Sequence, residues 1–398
     1  MNDHFELMDG QLRRASIRVI GVGGGGCNTV NQMAQAEIQD VEFIVANTDR
    51  DHLERCIPTN QLQLGPQLTR GLGAGSDPAK GRDAAEEDRD RIRETLQGTD
   101  LLFVTAGMGG GTGTGAAPVI AQIARELNIL TVAVVTKPFA YEGKKRMNIA
   151  MKGIEDLRQH VDSLIMIPNE KLRLVLGGKA TVQEGFKAAN DVLQNAVQGI
   201  SELITCPGLV HVDFADVVTV MSSRGMAMMG LGKASGEDRA QRAVEMALSS
   251  PLLDDLELSG ARGILVNISC DDSLTLDEHM FINERISEIA SDEADMKCGT
   301  SFNPNLAGEL RVTVVATGLS GMKQAQAMPT LPLNPKVTLL TPQPVVQTPK
   351  FVDYEKPAIQ REAPRRNLMG GSNQAISVLQ EFDEEMLSIP AFLRNQAD

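Results

Sequence analysis

Two glycine-dense segments, each set directly behind an apolar run, constrain this chain more than anything else in its 398 residues. Gly21-Val22-Gly23-Gly24-Gly25-Gly26 closes the run IRVIGV (17–22), and Gly107-Met108-Gly109-Gly110-Gly111-Thr112-Gly113-Thr114-Gly115 follows LLFVTA (101–106). Glycine weakens a fold entropically, so such clusters need a reason. One reason is anion binding: without Cβ, backbone N–H groups can close on phosphate oxygens at a helix N-terminus. The first segment formally satisfies GxGxxG, the dinucleotide fingerprint, but alone it is equally a tight strand-to-helix turn. The second tilts the balance, because two such loops at the carboxyl ends of parallel strands converge on one crevice. Gly71-Leu72-Gly73-Ala74-Gly75 is a candidate third loop. No GxxxxGK[ST] is present, which excludes a Walker-type NTPase. Three anion-accepting loops suit a triphosphate better than a pyrophosphate.

The rest of the chain supplies the frame for those loops. VEFIVANTD (41–49), ILTVAVVT (129–136) and VDSLIMIPN (161–169) are further apolar runs, separated by helical segments such as AAEEDRDRIRETL (84–96). Continuous apolar strands alternating with helices predict an α/β domain with a mainly parallel sheet covered on both faces. A long helix follows, opened by the capping box Thr181/Glu184. Its apolar positions are 186, 189, 193, 196, 197, 200, 203 and 204, and Pro207-Gly208 ends it. About 24 residues make a strut of roughly 36 Å. Beyond it, RGILVNIS (262–269) and LRVTVVATG (310–318) predict two strands of a smaller α/β domain. Composition breaks at Ser320 into a Pro-, Gln- and Thr-rich stretch that cannot bury enough surface to order itself. The expected organisation is a flexible tail (1–15), a nucleotide-binding domain (16–180), the central helix (181–206), a C-terminal α/β domain (207–319), a disordered linker (320–375) and a terminal peptide (376–398).

Composition narrows the function. A net charge of −14 disfavours nucleic-acid binding and direct adsorption to anionic lipid. With no Trp, two Tyr and eleven Phe, a stacking platform for single strands is not expected either. The five cysteines, at 27, 56, 206, 270 and 298, include no CxxC pair, which fits a reducing cytoplasm. The N-terminus has no apolar signal region, and no apolar stretch is long enough to cross a bilayer. GMAMMG (225–230) reads as core filler rather than a metal site.

GGGTGTG (109–115) is the tubulin/FtsZ signature, and residues 17–319 with the terminal SIPAFLR resemble FtsZ, the family of bacterial tubulin-like cell-division GTPases. TKPFAYEGKKR, AANDVL and SSPLL carry the same resemblance. It implies a tubulin/FtsZ fold, in which a Rossmann-like parallel-sheet GTPase domain is joined by a long central helix to a smaller α/β domain. GTP and GDP would be the ligands, with Mg2+ arriving on the phosphates through unidentified protein ligands. Phosphate binding carries over to Gly24, Gly25, Gly26, Cys27, Asn28, Gly110, Gly111, Thr112 and Gly113. Ribose contacts carry over to Glu142 and Arg146, and guanine-facing ones to Asn169, Phe186, Asn190 and Asp191. A carboxylate at Asp191 can accept from guanine N1–H and N2–H2, which adenine does not offer. The plainer alternatives are a small filler for Cys27, core packing for Phe186 and solvated surface for Asp191.

For catalysis the resemblance implies Asp213 and Asp216, which would polarise water at the neighbouring subunit's GTP; phosphoryl transfer depends mainly on positioning and electrostatics. The plainer reading makes Asp213 an N-cap and Asp216 a first-turn acid, and both readings can hold together. One departure stands out: His211 occupies a position where the family usually has Asn. Arg50 reads as a surface variant. The resemblance further implies head-to-tail self-assembly into the cytoplasmic mid-cell division ring. Leu387, Ile389, Pro390, Phe392 and Leu393 would dock FtsA, ZipA and other division proteins, leaving membrane contact indirect. Two rivals are weighed: an NAD-binding oxidoreductase, disfavoured by the second glycine cluster, and a polymerising scaffold without hydrolysis, kept open by His211.

Overall fold

The computed structural model describes residues 15–319, apart from 37, 39, 178, 179, 207, 209, 211, 224, 254–259 and 292. The expected linker and terminal peptide, nearly all of the N-terminal tail, and His211 lie outside the described residues. The chain divides into two compact units, Met1–Thr330 and Leu331–Asp398, and everything described belongs to the first.

Strands β1 (Ile17–Val22), β2 (Val41–Asn47), β3 (Asn60–Gln63), β4 (Leu101–Gly107), β5 (Leu130–Lys137), β6 (Ser163–Pro168), β7 (Gly225–Ser235), β8 (Gly263–Cys270), β9 (Asp295–Phe302) and β10 (Glu309–Leu319) form one sheet. Its order is β3-β2-β1-β4-β5-β6-β7-β10-β8-β9. Pairing is parallel from β3 across to β7, antiparallel on both sides of β10, and parallel again between β8 and β9. The helices are α1 (Gly23–Gln35), α2 (Arg50–Glu54), α3 (Pro66–Thr69), α4 (Pro78–Glu87), α5 (Arg89–Leu96), α6 (Thr112–Glu126), α7 (Lys144–Arg158), α8 (Asn169–Leu176), α9 (Val182–Thr205), α10 (Phe214–Met221), α11 (Arg239–Leu248) and α12 (Leu276–Ser287).

The apolar runs are continuous because the sheet is covered on both faces. Neighbours along a strand point to opposite sides. Thus Val19 and Phe103 enter a core with Val30 of α1 and Leu193, Ala196 and Val197 of α9. Ile20 and Val104 enter a second core with Ile92 of α5, Ile120 of α6 and Leu157 of α7. A third core packs α11 and α12 on β8 and β10.

The capping box of α9 forms as expected: Thr181 Oγ1 accepts from Glu184 N–H at 3.2 Å, and Thr181 N–H donates to Glu184 Oε2 at 2.6 Å. Three findings differ from the sequence reading. The segment 84–96 is two helices, broken at Asp88, whose buried carboxylate accepts from Gly65 N–H at 2.7 Å. Among the described residues, 207–319 carry four strands rather than two. The unexpected β7 is GMAMMGLGKAS, short of β-branched residues, and it pairs with β6 only over Ser163–Ile165. Met226, Met228 and Met229 are buried there, in line with core filler. The edge strand β3, NQLQ, has one apolar residue. Pairing with a neighbour overrides local preference in both strands.

Candidate functional site

The glycine segments meet because β1 and β4 are adjacent and in register, Val22 opposite Ala106. α1 leaves β1 at once, and α6 follows four residues after β4. Neither helix has a side-chain cap or an acidic residue in its first turn. Asp49, Asp77, Thr181, Asp213 and Thr275 cap α2, α4, α9, α10 and α12, whereas α3, α7 and α11 also start without a cap or an acid; α1 and α6 differ from these in following adjacent, in-register strands through glycine loops. Two open helix N-termini therefore lie side by side, each offering unpaired N–H donors and the positive end of a dipole. That arrangement suits an anion.

At some of these positions the missing Cβ serves packing instead. A Cβ on Gly26 would lie 2.4 Å from the Thr105 carbonyl oxygen, and one on Gly115 would lie 2.0 Å from that of Pro78. These are close-packing positions between elements. Gly24 and Gly25 are exposed, and a Cβ on Gly110 would meet nothing within 4 Å. Gly111 lies against Ala74 of the third glycine loop, which is tied down by Gly73 N–H to Thr48 O (3.2 Å). Thr48 and Thr112 share a 2.6 Å hydroxyl hydrogen bond. Asn28 is exposed, 3.1 Å from the His52 ring.

Cys27 needs a correction as a side-chain contact. Its thiol is fully buried on the core side, 3.6 Å from Gly21 O and 3.7 Å from Ala46 O. Burial drives its pKa far up, so it is the inert filler of the plainer reading.

A pocket beside the glycine loops gathers Gly25, Glu142, Arg146, Asn169, Phe186 and Asn190 of the expected residues, together with Thr29, Thr136 and Pro138. Asn169, at the start of α8, is 3% exposed, and its amide oxygen has no hydrogen-bond partner. A buried acceptor left unpaired is costly, and a bound ligand would satisfy it. Phe186 is 44% exposed, which overturns core packing for it. Its ring meets buried Phe139 edge-on at 5.5 Å, and Phe139 stacks on Tyr141 at 5.3 Å. Of the three rings Phe186 lines this pocket, and Phe139 and Tyr141 extend the stack away from it. Glu142 accepts from Phe139 N–H at 2.8 Å and pairs with Arg146 at 3.1 Å.

Two further residues escaped the sequence reading. Thr29 donates to Asn190 Oδ1 at 2.9 Å, and the Gln32 amide donates to Asp191. Both sit on α1, about 160 positions from their partners, so no local pattern announces them. Asp191 itself does not line the pocket; its carboxylate is turned toward α1.

At the far end of α9, Asp213 caps α10 by accepting from Asp216 N–H at 3.0 Å. Asp216 is paired with Lys297 Nζ at 3.0 Å, and Lys297 lies 3.5 Å from Asp295. The hydrogen bond from Lys297 holds the Asp216 carboxyl below its ordinary pKa. From Asn190 to Thr205, α9 alone measures roughly 22 Å, so these acids are remote from the pocket of their own molecule. Among the described residues, no cluster of three or more His, Cys, Asp or Glu side chains could hold a metal ion. Arg50 is exposed and paired with Glu54 at 2.8 Å, as a surface variant should be.

The comparisons with known proteins bear on this geometry. Residues 16–177 match the GTPase domain of the Tubulin/FtsZ family, and residues 225–320 match the C-terminal domain of the FtsZ family. The cell division protein FtsZ of Azotobacter vinelandii is 52% identical over 99% of this chain and the whole of that protein. The Pseudomonas aeruginosa protein is 50% identical with the same coverage. A solved FtsZ dimer of M. jannaschii superposes with a TM-score of 0.75 at 44% identity, covering 78% of this chain and 90% of that one.

Proposed function

The chain belongs to the tubulin/FtsZ family, and from that premise we propose how its two ends share one reaction. It is a tubulin-like cell-division GTPase of the polymerising kind, acting on GTP to give GDP and phosphate. In our reading the open N-termini of α1 and α6 hold the phosphates through the backbone of Gly24–Asn28 and Gly110–Gly113 and the hydroxyl of Thr112. Glu142 and Arg146 hold the ribose. Phe186 stacks on the base, while Asn169, Asn190 and Asp191 read its polar edge, Asp191 after release from Gln32. Mg2+ would neutralise phosphate charge; with no acidic cage among the described residues, it would keep water and phosphate oxygens as ligands.

The observation that carries the proposal is the length of α9 from Asn190 to Thr205, with Asp213 beyond its end. Asp213 and Asp216 cannot reach the pocket of their own molecule, so they act on the nucleotide of the next one. Capping uses one carboxylate oxygen of Asp213, which leaves the other for the attacking water. An interface of this head-to-tail kind does not close on itself and gives filaments. Phosphate release measured against protein concentration tests this: the rate per subunit should rise as assembly sets in. A constant rate from dilute monomer upward would refute it. Asp213→Ala should bind GTP as the parent does but lose turnover by at least roughly a hundredfold.

The finer cellular reading follows from the resemblance. Leu387, Ile389, Pro390, Phe392 and Leu393 would dock FtsA and ZipA, tethering filaments to the membrane indirectly at the cytoplasmic mid-cell site. No helix among the described residues is long and apolar enough to cross a membrane. Binding of a synthetic 384–398 peptide to purified FtsA and ZipA tests that reading.

A further inference from the structure

Lys297 stands on β9, in a strand with few apolar residues, and its side chain is one-third exposed. Its ammonium lies between Asp216 of α10 and Asp295 of its own strand, at 3.0 and 3.5 Å. As a stabilising contact this is minor, because pairs at such exposure contribute little to folding. Its consequence is electrostatic and local. Asp213, Asp216 and Asp295 place three carboxylates at the end of the molecule that must approach an anionic nucleotide. Lys297 is the cation that contacts two of them.

We infer that Lys297 is a positioning residue for the shared reaction, fixing the Asp216 carboxylate and lowering the negative charge that this end brings to the neighbouring subunit's triphosphate. The inference rests on the trans arrangement proposed above. Without the ammonium, Asp216 is free to rotate from its place in the first turn of α10, and the loop meets the phosphates with one more uncompensated charge. Lys297 makes no contact with substrate in this role; it acts through Asp216. The depressed pKa of Asp216 and the raised pKa of Lys297 agree with a pair ionised on both sides.

The test compares Lys297→Met and Lys297→Arg in the full chain. Lys297→Met should lower GTP turnover per assembled subunit by roughly tenfold or more. GTP affinity of the dilute protein and its melting temperature should stay unchanged, because the nucleotide pocket is at the other end. Lys297→Arg should recover most of the rate. Mixing Lys297→Met with the pocket variant Asn190→Ala supplies a readout that a structural role would not move. In co-assembled filaments the intact pocket of the first meets the intact acidic end of the second, so the mixture should exceed the sum of its parts. Parental turnover in Lys297→Met, failure of arginine to rescue, or a merely additive mixture in filaments that light scattering shows to be co-assembled would each overturn the inference. Concentration-independent turnover in the parent would instead remove the shared-site reading, whatever Lys297 does.

Discussion

Phe186 separates a binding role from a packing role at the level of a single side chain. Its ring is 44% exposed on the wall of the pocket, supported from beneath by Phe139. Phe186→Ala should therefore weaken GTP binding by about 1–3 kcal/mol, the usual worth of a base stacked on an aromatic ring. The melting temperature of the free protein should hardly move; a loss of several degrees without a change in affinity would return Phe186 to the core. The two classes of glycine divide the same way. Gly115→Ala forces a Cβ against the Pro78 carbonyl where α4 and α6 approach, and should cost about 2 kcal/mol or more of stability in a denaturant melt. Gly110→Ala meets no neighbour and should leave the melt intact while reducing nucleotide affinity.

Among the elements, α11 and α12 are tied together by one charged network. Arg239, 8% exposed, forms a two-pronged pair with Glu278 at 2.6 and 2.9 Å and also donates to Gly308 O and to Ser273 O and Oγ. The hydrogen bond from Arg239, reinforced by Thr275 N–H, lowers the Glu278 pKa from 4.5 to about 2. A carboxyl depressed in the folded state binds its proton more readily when unfolded. Its stabilisation is thus complete above pH 4.5 and is lost as the pH falls toward 2. Arg239→Met should cost about 2 kcal/mol near neutrality, because it removes the charge-assisted hydrogen bonds from a partly exposed carboxylate. It should also flatten the decline of melting temperature between pH 5 and 3; an equally steep decline would detach Glu278 from acid stability.

For the whole molecule, the short β6–β7 junction makes a single sheet of two sets of strands, and α9 packs along it. Residues of α9 also bond across to the C-terminal strands. The Gly199 carbonyl accepts from Asn267 Nδ2 at 3.0 Å, and Glu202 accepts from Ser269 Oγ at 2.8 Å. Residues 16–319 should unfold in one calorimetric transition, with equal calorimetric and van't Hoff enthalpies. Two resolved transitions would mean that the parallel half and the C-terminal half are thermally independent.

The sequence by itself determined the parallel strands, the long capped helix, the glycine loops at strand ends and the family. Each of these is local: a run of apolar residues, a cap three positions from its partner, or a signature read in one stretch. It was silent on β7 and β9, whose polar and methionine-rich sequences become strands only because neighbours pair with them. The tertiary structure decided which glycines stand open and which admit a neighbouring carbonyl. It turned the Cys27 thiol into the core and Phe186 out of it, and brought Lys297 to Asp216 across 81 positions of chain. Those outcomes depend on which surfaces meet, and contacts between distant segments leave no periodicity or spacing in the sequence to read.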